Sequence, residues 1–430
     1  MKYYSLNNHN IKTSFKEAAI TGIAPDRGLY FPVYIPRLDA DFINNIENYS
    51  YADIALKAIS PFVGEEIPQQ KLREIIEETL SFPFPLVEVE KNVYALELFH
   101  GPTMAFKDVG ARFMSRCLRY FLRDEKKEVT VLVATSGDTG GAVASGFLGV
   151  EGINVVILYP SGKVSDVQER QLTTLGQNIT ALEVNGSFDD CQDMVKKAFL
   201  DEELKSVNLT SANSINIARW LPQMFYYFFA YKELKRTGKP LVVSVPSGNF
   251  GNICAGMMAK KIGLPIDHFI AATNANDTVP RYMQSHQFSP RPTVETLSNA
   301  MDVSNPSNFV RILKLFNNGS LARELSSHSF TDTQTLEAIT RLYQNHGYLP
   351  DPHGAVGYLG LKKYMELNSD VTGVFLETAH PVKFGDSIEK NLGITIPLPQ
   401  QIEHLLTSEI RKSKISNYQE LKVFLLKSHS

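Results

Sequence analysis

Cysteine is scarce: the 430 residues contain three, Cys117, Cys191 and Cys254, with no Cys-x-x-Cys pair. Neither a disulfide framework nor a zinc knuckle is expected from such spacing. The ten histidines include no His-Glu-x-x-His pattern, so metal catalysis has no support in the sequence and no metal ligand set is expected. An excess of charge is missing as well. The 43 basic and 46 acidic residues leave a net charge of -3 with no basic arm or acidic tail, which argues against a nucleic-acid partner. No apolar run approaches the roughly 18 residues needed to span a bilayer; the nearest, Met224 to Ala230, stops at Tyr231-Lys-Glu233. The amino terminus, Met1-Lys-Tyr-Tyr-Ser-Leu-Asn-Asn8, lacks the apolar core of a secretory signal. A cytoplasmic chain with no membrane partner is expected.

What is present is the balance of an ordinary globular protein, with 43% apolar and 21% charged residues and no internal repeat or low-complexity segment. The length implies two or three domains of about 100 to 200 residues each. From Val129 onward, β-branched apolar runs alternate with longer amphipathic stretches. Buried strands are predicted at Val129–Ala134, Ile153–Tyr159, Ile179–Val184, Leu241–Val245, His268–Ala272 and Val374–Leu376. Helical spacing falls between them at Thr139–Leu148, Ser165–Leu175 and Asn216–Leu234. Such alternation predicts an α/β fold with parallel sheets flanked by helices. The first ninety or so residues differ, with a helix predicted at Ser14–Thr21, a turn at Ala24-Pro-Asp-Arg-Gly28 and proline punctuation around Phe82-Pro-Phe-Pro85.

Three turns rich in small residues follow predicted strands and open predicted helices: Thr135-Ser-Gly-Asp-Thr-Gly-Gly141, Ser161-Gly-Lys-Val-Ser165 and Ser247-Gly-Asn-Phe-Gly-Asn252. Such a turn aims unpaired backbone N–H groups and the positive end of a helix dipole at an anion. None matches Gly-x-x-x-x-Gly-Lys-Ser/Thr or Gly-x-Gly-x-x-Gly, so a nucleotide is not the expected ligand. All three would lie at the carboxyl ends of strands, where open α/β sheets bind ligands. The other candidate is Lys107 in Gly101-Pro-Thr-Met-Ala-Phe-Lys-Asp108. A lysine whose stem follows apolar residues is a candidate nucleophile able to form a Schiff base, although an exposed lysine covering apolar neighbours is the commoner case.

The segments Phe99-His-Gly-Pro-Thr-Met-Ala-Phe-Lys-Asp108, Thr135-Ser-Gly-Asp-Thr-Gly140, Asn213-Ser-Ile-Asn216 with Arg219, Ser247-Gly-Asn-Phe-Gly-Asn252 and Glu377-Thr-Ala-His-Pro381 closely resemble threonine synthases. Ser14-Phe-Lys-Glu17 and Ala24-Pro-Asp-Arg-Gly-Leu-Tyr30 resemble that family's amino-terminal domain, and the likeness runs in the family's order over nearly the whole chain. The resemblance implies a fold type II pyridoxal-phosphate enzyme of the tryptophan synthase β-like kind, with two open, mainly parallel sheets flanked by helices and an added amino-terminal domain. It implies an amino-terminal domain over residues 1–92. A large cofactor-binding domain would take 93–125 and 205–430, and a small substrate-binding domain 126–204.

Carried over residue by residue, the resemblance makes Lys107 the Schiff-base lysine of pyridoxal 5′-phosphate. It makes Gly248, Asn249, Phe250, Gly251 and Asn252 the loop around the cofactor phosphate, and Thr378 the partner of the pyridine nitrogen. Read without it, Thr378 is a strand-end threonine that caps the helix beginning near Pro381. The resemblance also gives Thr135, Ser136, Gly137 and Thr139 to the substrate α-carboxylate. Asp138 falls where related enzymes often carry Asn against the cofactor's 3′-oxygen. Lys163, Asn213 and Arg219 are the candidates for the substrate phosphate, since Arg offers a planar fork and Lys a point charge. His353 and His380 lie in motifs near the site. The implied reaction converts O-phospho-L-homoserine and water to L-threonine and phosphate, in a monomer. The same motifs leave open a phospho-lyase that releases 2-oxobutyrate, and a carrier that binds the cofactor without turnover.

Overall fold

The computed structural model describes residues 1–124, 128–316 and 319–427, so the domain boundary expected between residues 125 and 126 lies outside the described residues. The chain divides into two compact units. The first comprises Met1, Pro32–Phe106 and Trp220–Pro397; the second comprises Lys2–Phe31, Lys107–Arg219 and Leu398–Ser430.

The first unit is built on a six-stranded sheet in the order Leu325–Ser329, His268–Thr273, Leu241–Pro246, Thr372–Glu377, Val93–Glu97, Leu86–Glu90. All neighbours are parallel except the last pair. Every residue of the three strands His268–Thr273, Leu241–Pro246 and Thr372–Glu377 is buried, the condition under which a strand reads as a continuous apolar run. The helix Pro352–Met365 covers one face, with Ala355, Tyr358 and Leu361 packing among Val242, Ile270 and Phe375.

The second unit holds a five-stranded, wholly parallel sheet in the order Ser413–Ile415, Ile179–Val184, Ile153–Pro160, Val129–Ala134, Leu209–Thr210. The helix Lys107–Leu122 buries Val109, Phe113, Met114, Cys117 and Leu118 along one face, the i, i+4 spacing of an amphipathic stripe. It lies close to the helix Asp138–Phe147, where a Cβ on Gly146 would come within 3.1 Å of Ala111. Near the amino terminus, strands Lys12–Ser14, Lys2–Ser5 and Tyr30–Pro32 form a small sheet. Ser14 opens the helix Phe15–Thr21 with a reciprocal capping box to Glu17, which satisfies two otherwise unpaired N–H groups.

The strands predicted at Val129–Ala134 and Ile179–Val184 have those bounds, and the other four extend by one to three residues. The helix predicted over Asn216–Leu234 is instead broken into Ile217–Trp220, a 3-10 turn Leu221–Gln223 and Met224–Leu234. Pro222 lacks the N–H that a continuous helix needs. Among the described residues no helix is long and apolar enough to cross a membrane.

The helix Gly251–Lys261 packs tightly where Gly256 faces Tyr227: a Cβ at Gly256 would sit 2.3 Å from the tyrosine ring. Tyr227 is fully buried, and its hydroxyl donates to the Asn252 carbonyl and Oδ1 at 2.9 and 2.8 Å, so the ring cannot swing aside. Gly256→Ala is expected to cost about 1–3 kcal/mol through overpacking. Urea unfolding should show a lower midpoint at unchanged slope; an unchanged midpoint contradicts the packing account.

Candidate active site

Each sheet has a point at which successive connections leave in opposite directions, and several of the sequence-predicted residues follow the strands that flank it. In the six-stranded sheet, the chain runs outward from Leu241–Pro246 through His268–Thr273 to Leu325–Ser329, then returns to Thr372–Glu377 on the other side. The crevice outside the carboxyl ends of Leu241–Pro246 and Thr372–Glu377 is the switch point, the place where such sheets bind ligands. Ser247–Asn252 follows the first strand and Thr378 the second. In the five-stranded sheet the switch lies between Val129–Ala134 and Leu209–Thr210. Thr135–Thr139 follows the one, and Asn213 the other.

The loop Ser247–Asn252 has the features of an anion cradle. Phe250 is the N-cap of the helix Gly251–Lys261, with φ +60° and no side-chain capping bond, so the N-cap residue itself takes up none of the first-turn N–H groups. Gly248 packs so closely on the turn behind it that a Cβ would fall 2.7 Å from Met301 Cα. Asn249 fastens the loop from outside, its Oδ1 accepting from Ser307 N–H at 2.6 Å. Asn252 Oδ1 accepts from Tyr227, while its buried Nδ2 has no hydrogen-bond partner among the described residues. An uncapped helix start beside an unsatisfied amide donor suits a phosphate dianion.

The chain that leads to Lys107 is fastened at the same end of this sheet. Val93–Glu97 pairs with Thr372–Glu377, and beyond them Ala105 bridges to Ala379. Phe106 N–H donates to the Thr378 carbonyl at 2.9 Å, His380 N–H to the Met104 carbonyl at 3.1 Å, and the Tyr226 hydroxyl to the Phe106 carbonyl. Lys107, the next residue, is the first of its helix and is partly buried. The structure therefore brings Thr378 and the residue preceding Lys107 together. Thr378 does not cap the turn at Pro381: that role falls to His380, whose Nδ1 accepts from Val382 N–H at 3.1 Å.

In the second unit, Gly137 takes φ +135°, a conformation that favours glycine, as the N-cap of the helix Asp138–Phe147, to which it brings no side-chain capping bond. Thr135 Oγ1 accepts from Gly137 and Gly140 N–H at 2.9 and 2.8 Å, shaping the turn from within, while Ser136 and Thr139 are partly exposed. Asp138 is buried and its Oδ1 accepts from Gln168 Nε2 at 3.0 Å. Arg219 is buried, and donates to the Ala212 carbonyl at 2.6 Å. Its Nε would lie 3.1 Å from a Cβ on Gly110, one turn along the helix from Lys107, so Lys107 and Arg219 are brought near each other. Asn213 is partly exposed, and Lys163 is exposed on the turn after Ile153–Pro160. Tyr226 and Gln168 had no signal in the sequence: the one is lost in the apolar run Met224–Ala230, the other is an ordinary polar residue of a helix.

A cluster of buried acids lies behind the first set. Asp351 and Glu377 are both fully buried, and Asp351 N–H donates to Glu377 Oε2 at 3.2 Å. Burial, then the neighbouring Asp351 charge, pushes the Glu377 carboxyl well above the ordinary range, favouring the neutral acid. Asp302, accepting from Thr296 and Asn274, is pushed up to about 6 by burial. His380 is pushed down to about 4, first by burial and then by His100.

The architecture and the two switch points are those of a pyridoxal-phosphate-dependent enzyme, and the family model described as "Pyridoxal-phosphate dependent enzyme" matches residues 79–376. Models described as "Threonine synthase N terminus" and "Threonine synthase, C-terminal" match residues 2–80 and 354–424. The threonine synthase of Haemophilus influenzae is 46% identical over 432 residues, covering 100% of both chains. The crystal structure of threonine synthase from Escherichia coli superposes with a TM-score of 0.94 at 45% identity, covering 100% of both chains. A pyridoxal-phosphate-bound threonine synthase from Brucella melitensis does so at 0.92 and 35% identity, covering 99% of this chain and 98% of the other. The chain belongs to the threonine synthase family.

The depressed value of His380 has a consequence for stability. A histidine of ordinary value near 6.5 that falls to about 4 on folding binds its proton more readily in the unfolded chain. Its contribution is therefore fully present above about 6.5 and is lost as pH falls toward 4. His380→Asn keeps an acceptor for Val382 N–H and removes the titration. Chemical unfolding between pH 7 and 4.5 should lose stability less steeply in the variant, by up to one proton's share of the slope. Parallel pH profiles contradict the assignment.

Proposed function

We propose that the chain converts O-phospho-L-homoserine and water into L-threonine and phosphate, with pyridoxal phosphate carried on Lys107. The observation that carries this reading is the pair of helix starts whose N-cap residues make no side-chain capping bond, each at the switch point of its own sheet. Two anionic groups need two such sites, one for the cofactor phosphate and one for the substrate carboxylate. Gly248, Asn249, Phe250, Gly251 and Asn252 would hold the cofactor phosphate, the unsatisfied Asn252 Nδ2 favouring that assignment. Thr378 would meet the pyridine nitrogen with a neutral hydroxyl, which does not force that nitrogen to protonate as a carboxylate would. Asp138, whose Oδ1 accepts from Gln168 Nε2, would approach the ring's 3′-oxygen.

When bound, pyridoxal phosphate supplies an electron sink for negative charge developing at the substrate's Cα. Lys107 Nζ removes the Cα proton and then moves protons between Cα and Cβ. Thr135, Ser136, Gly137 and Thr139 orient the α-carboxylate. Lys163, Asn213 and Arg219 hold the substrate phosphate as it leaves from Cγ, before water adds at Cβ. Lys107 and Arg219 neighbour the same helical turn at Gly110, which supports assigning proton transfer and leaving-group binding to adjacent groups. We further infer a cytoplasmic monomer, and one without a nucleic-acid partner, the last of which the near-balanced charge supports.

Purified protein mixed with O-phospho-L-homoserine should release phosphate and threonine in equal amounts, and Lys107→Ala should abolish both turnover and the cofactor's visible absorbance. Phosphate accompanied by 2-oxobutyrate instead would turn the assignment to a lyase, and bound cofactor without turnover to a carrier. Because Lys163 is exposed, Lys163→Ala should leave stability unchanged. It should raise KM for the phosphorylated substrate roughly tenfold, the worth of one charge-assisted contact. An unchanged KM removes Lys163 from the phosphate site.

A further inference from the structure

Behind the loop Ser247–Asn252 the first unit contains a buried histidine–carboxylate pair. Asp351 is the N-cap of the helix Pro352–Met365 and His353 lies two residues on; they are 0% and 2% exposed. Asp351 Oδ1 accepts from His353 N–H at 2.7 Å and faces His353 Nδ1 within hydrogen-bond distance. The other ring nitrogen, Nε2, faces Ala300 N–H at 3.2 Å. A backbone N–H can only donate, so Nε2 accepts and the ring proton sits on Nδ1, against Asp351. The Phe384 ring, edge-on at 5.0 Å, restrains the imidazole from a further side.

Both ends of this pair lead to the cofactor site. Ala300 belongs to the 3-10 turn Asn299–Met301, the backbone against which Gly248 is packed, with a Gly248 Cβ 3.1 Å from the Ala300 carbonyl and 2.7 Å from Met301 Cα. Asp351 Oδ2 accepts from Ala379 N–H at 3.2 Å, one residue beyond Thr378. One buried carboxylate therefore fastens the strand end that carries Thr378 directly, and the turn backing the glycine loop through His353. We propose that Asp351 and His353 are positioning residues that set the phosphate loop and Thr378 in register with each other. The pair acts through the backbone that carries the phosphate loop and Thr378, as a precise site requires. This inference rests on the reading of Ser247–Asn252 as the phosphate cradle.

The test is reconstitution of apoprotein with pyridoxal phosphate, read as dissociation constant by absorbance titration and as the 31P resonance of the bound phosphate. His353→Ala should raise the dissociation constant at least tenfold and broaden or shift the 31P signal. His353→Gln, whose carbonyl oxygen can accept from Ala300 N–H, should recover most of the loss. Gly248→Ala separates the two levels of the argument. If Gly248→Ala binds the cofactor as tightly as the parent, the cradle reading fails. If Gly248→Ala weakens binding while His353→Ala, with an unchanged thermal midpoint, does not, the positioning proposal alone is overturned. Should both His353 variants fail to fold, 15N spectra of the histidines in the unaltered holoenzyme decide. An unprotonated, hydrogen-bonded Nε2 on His353 is expected, and a proton on Nε2 would overturn the proposal.

Discussion

The geometry of the site depends on the short antiparallel contact between Met104–Phe106 and Thr378–His380. Two backbone hydrogen bonds and the Tyr226 hydroxyl fix this contact. Each bond has a net worth of only about 1 kcal/mol, so their importance lies in geometry. The chain passes from the first unit to the second at Phe106–Lys107, and the last residue before the lysine is fastened to the carbonyl of Thr378. Met104 adopts φ +53°, uncommon for a residue with a side chain. That conformation persists because Met104 is fully buried, its N–H donates to the Gly101 carbonyl and its own carbonyl accepts from His380. Local strain is tolerated where surrounding contacts over-determine the backbone.

Much of this was legible from residue order. Strands buried on both faces in parallel sheets leave uninterrupted apolar runs, which is why Val129–Ala134 and Ile179–Val184 could be bounded from composition alone. The glycine turns could be found because a close backbone approach at Gly248 and a positive φ at Gly137 each require glycine. The edge strand Leu86–Glu90 was not legible, since Glu88 and Glu90 break any apolar run and only Val89 is buried. Ser413–Ile415 was not legible either. Three residues, two of them exposed polar ones, form a strand only because Ile179–Val184 offers an edge more than two hundred residues away. Pairing at that separation leaves no local trace.

The buried acids were hidden for a different reason. Glu377 and Thr378 are adjacent in one motif, yet they face different demands. Thr378 stands at the switch point, while Glu377 is enclosed beneath it, its Oε1 lacking a hydrogen-bond partner among the described residues and pressed against Gly354. An enclosed carboxylate would carry a large desolvation penalty, and the upward shift from burial and Asp351 favours the uncharged form. Asp351, by contrast, receives N–H groups from His353 and Ala379. Neighbouring acids thus divide into a neutral packing group and a hydrogen-bonding hub, a division set by the N–H groups each receives, since both are equally buried.

Two switch points in one chain answer a constraint on backbone donors. A helix offers only its first few N–H groups to a ligand, and Thr135 Oγ1 already takes one of those at the start of Asp138–Phe147. A single such terminus cannot serve a cofactor phosphate, a substrate carboxylate and a substrate phosphate at once. On the proposed assignment, separate sheets, each with its own helix start, would give two of these anions a backbone site. The third would then fall to side chains, for which Arg219 and Lys163 are suited by charge. Arg219 is buried against Gly110 and the Ala212 carbonyl, so its position is fixed in advance, whereas Lys163 is exposed and must give up side-chain freedom to bind. On that difference the buried arginine should set the geometry of the phosphate and the exposed lysine should add attraction, since a group already ordered by the fold loses less entropy on binding.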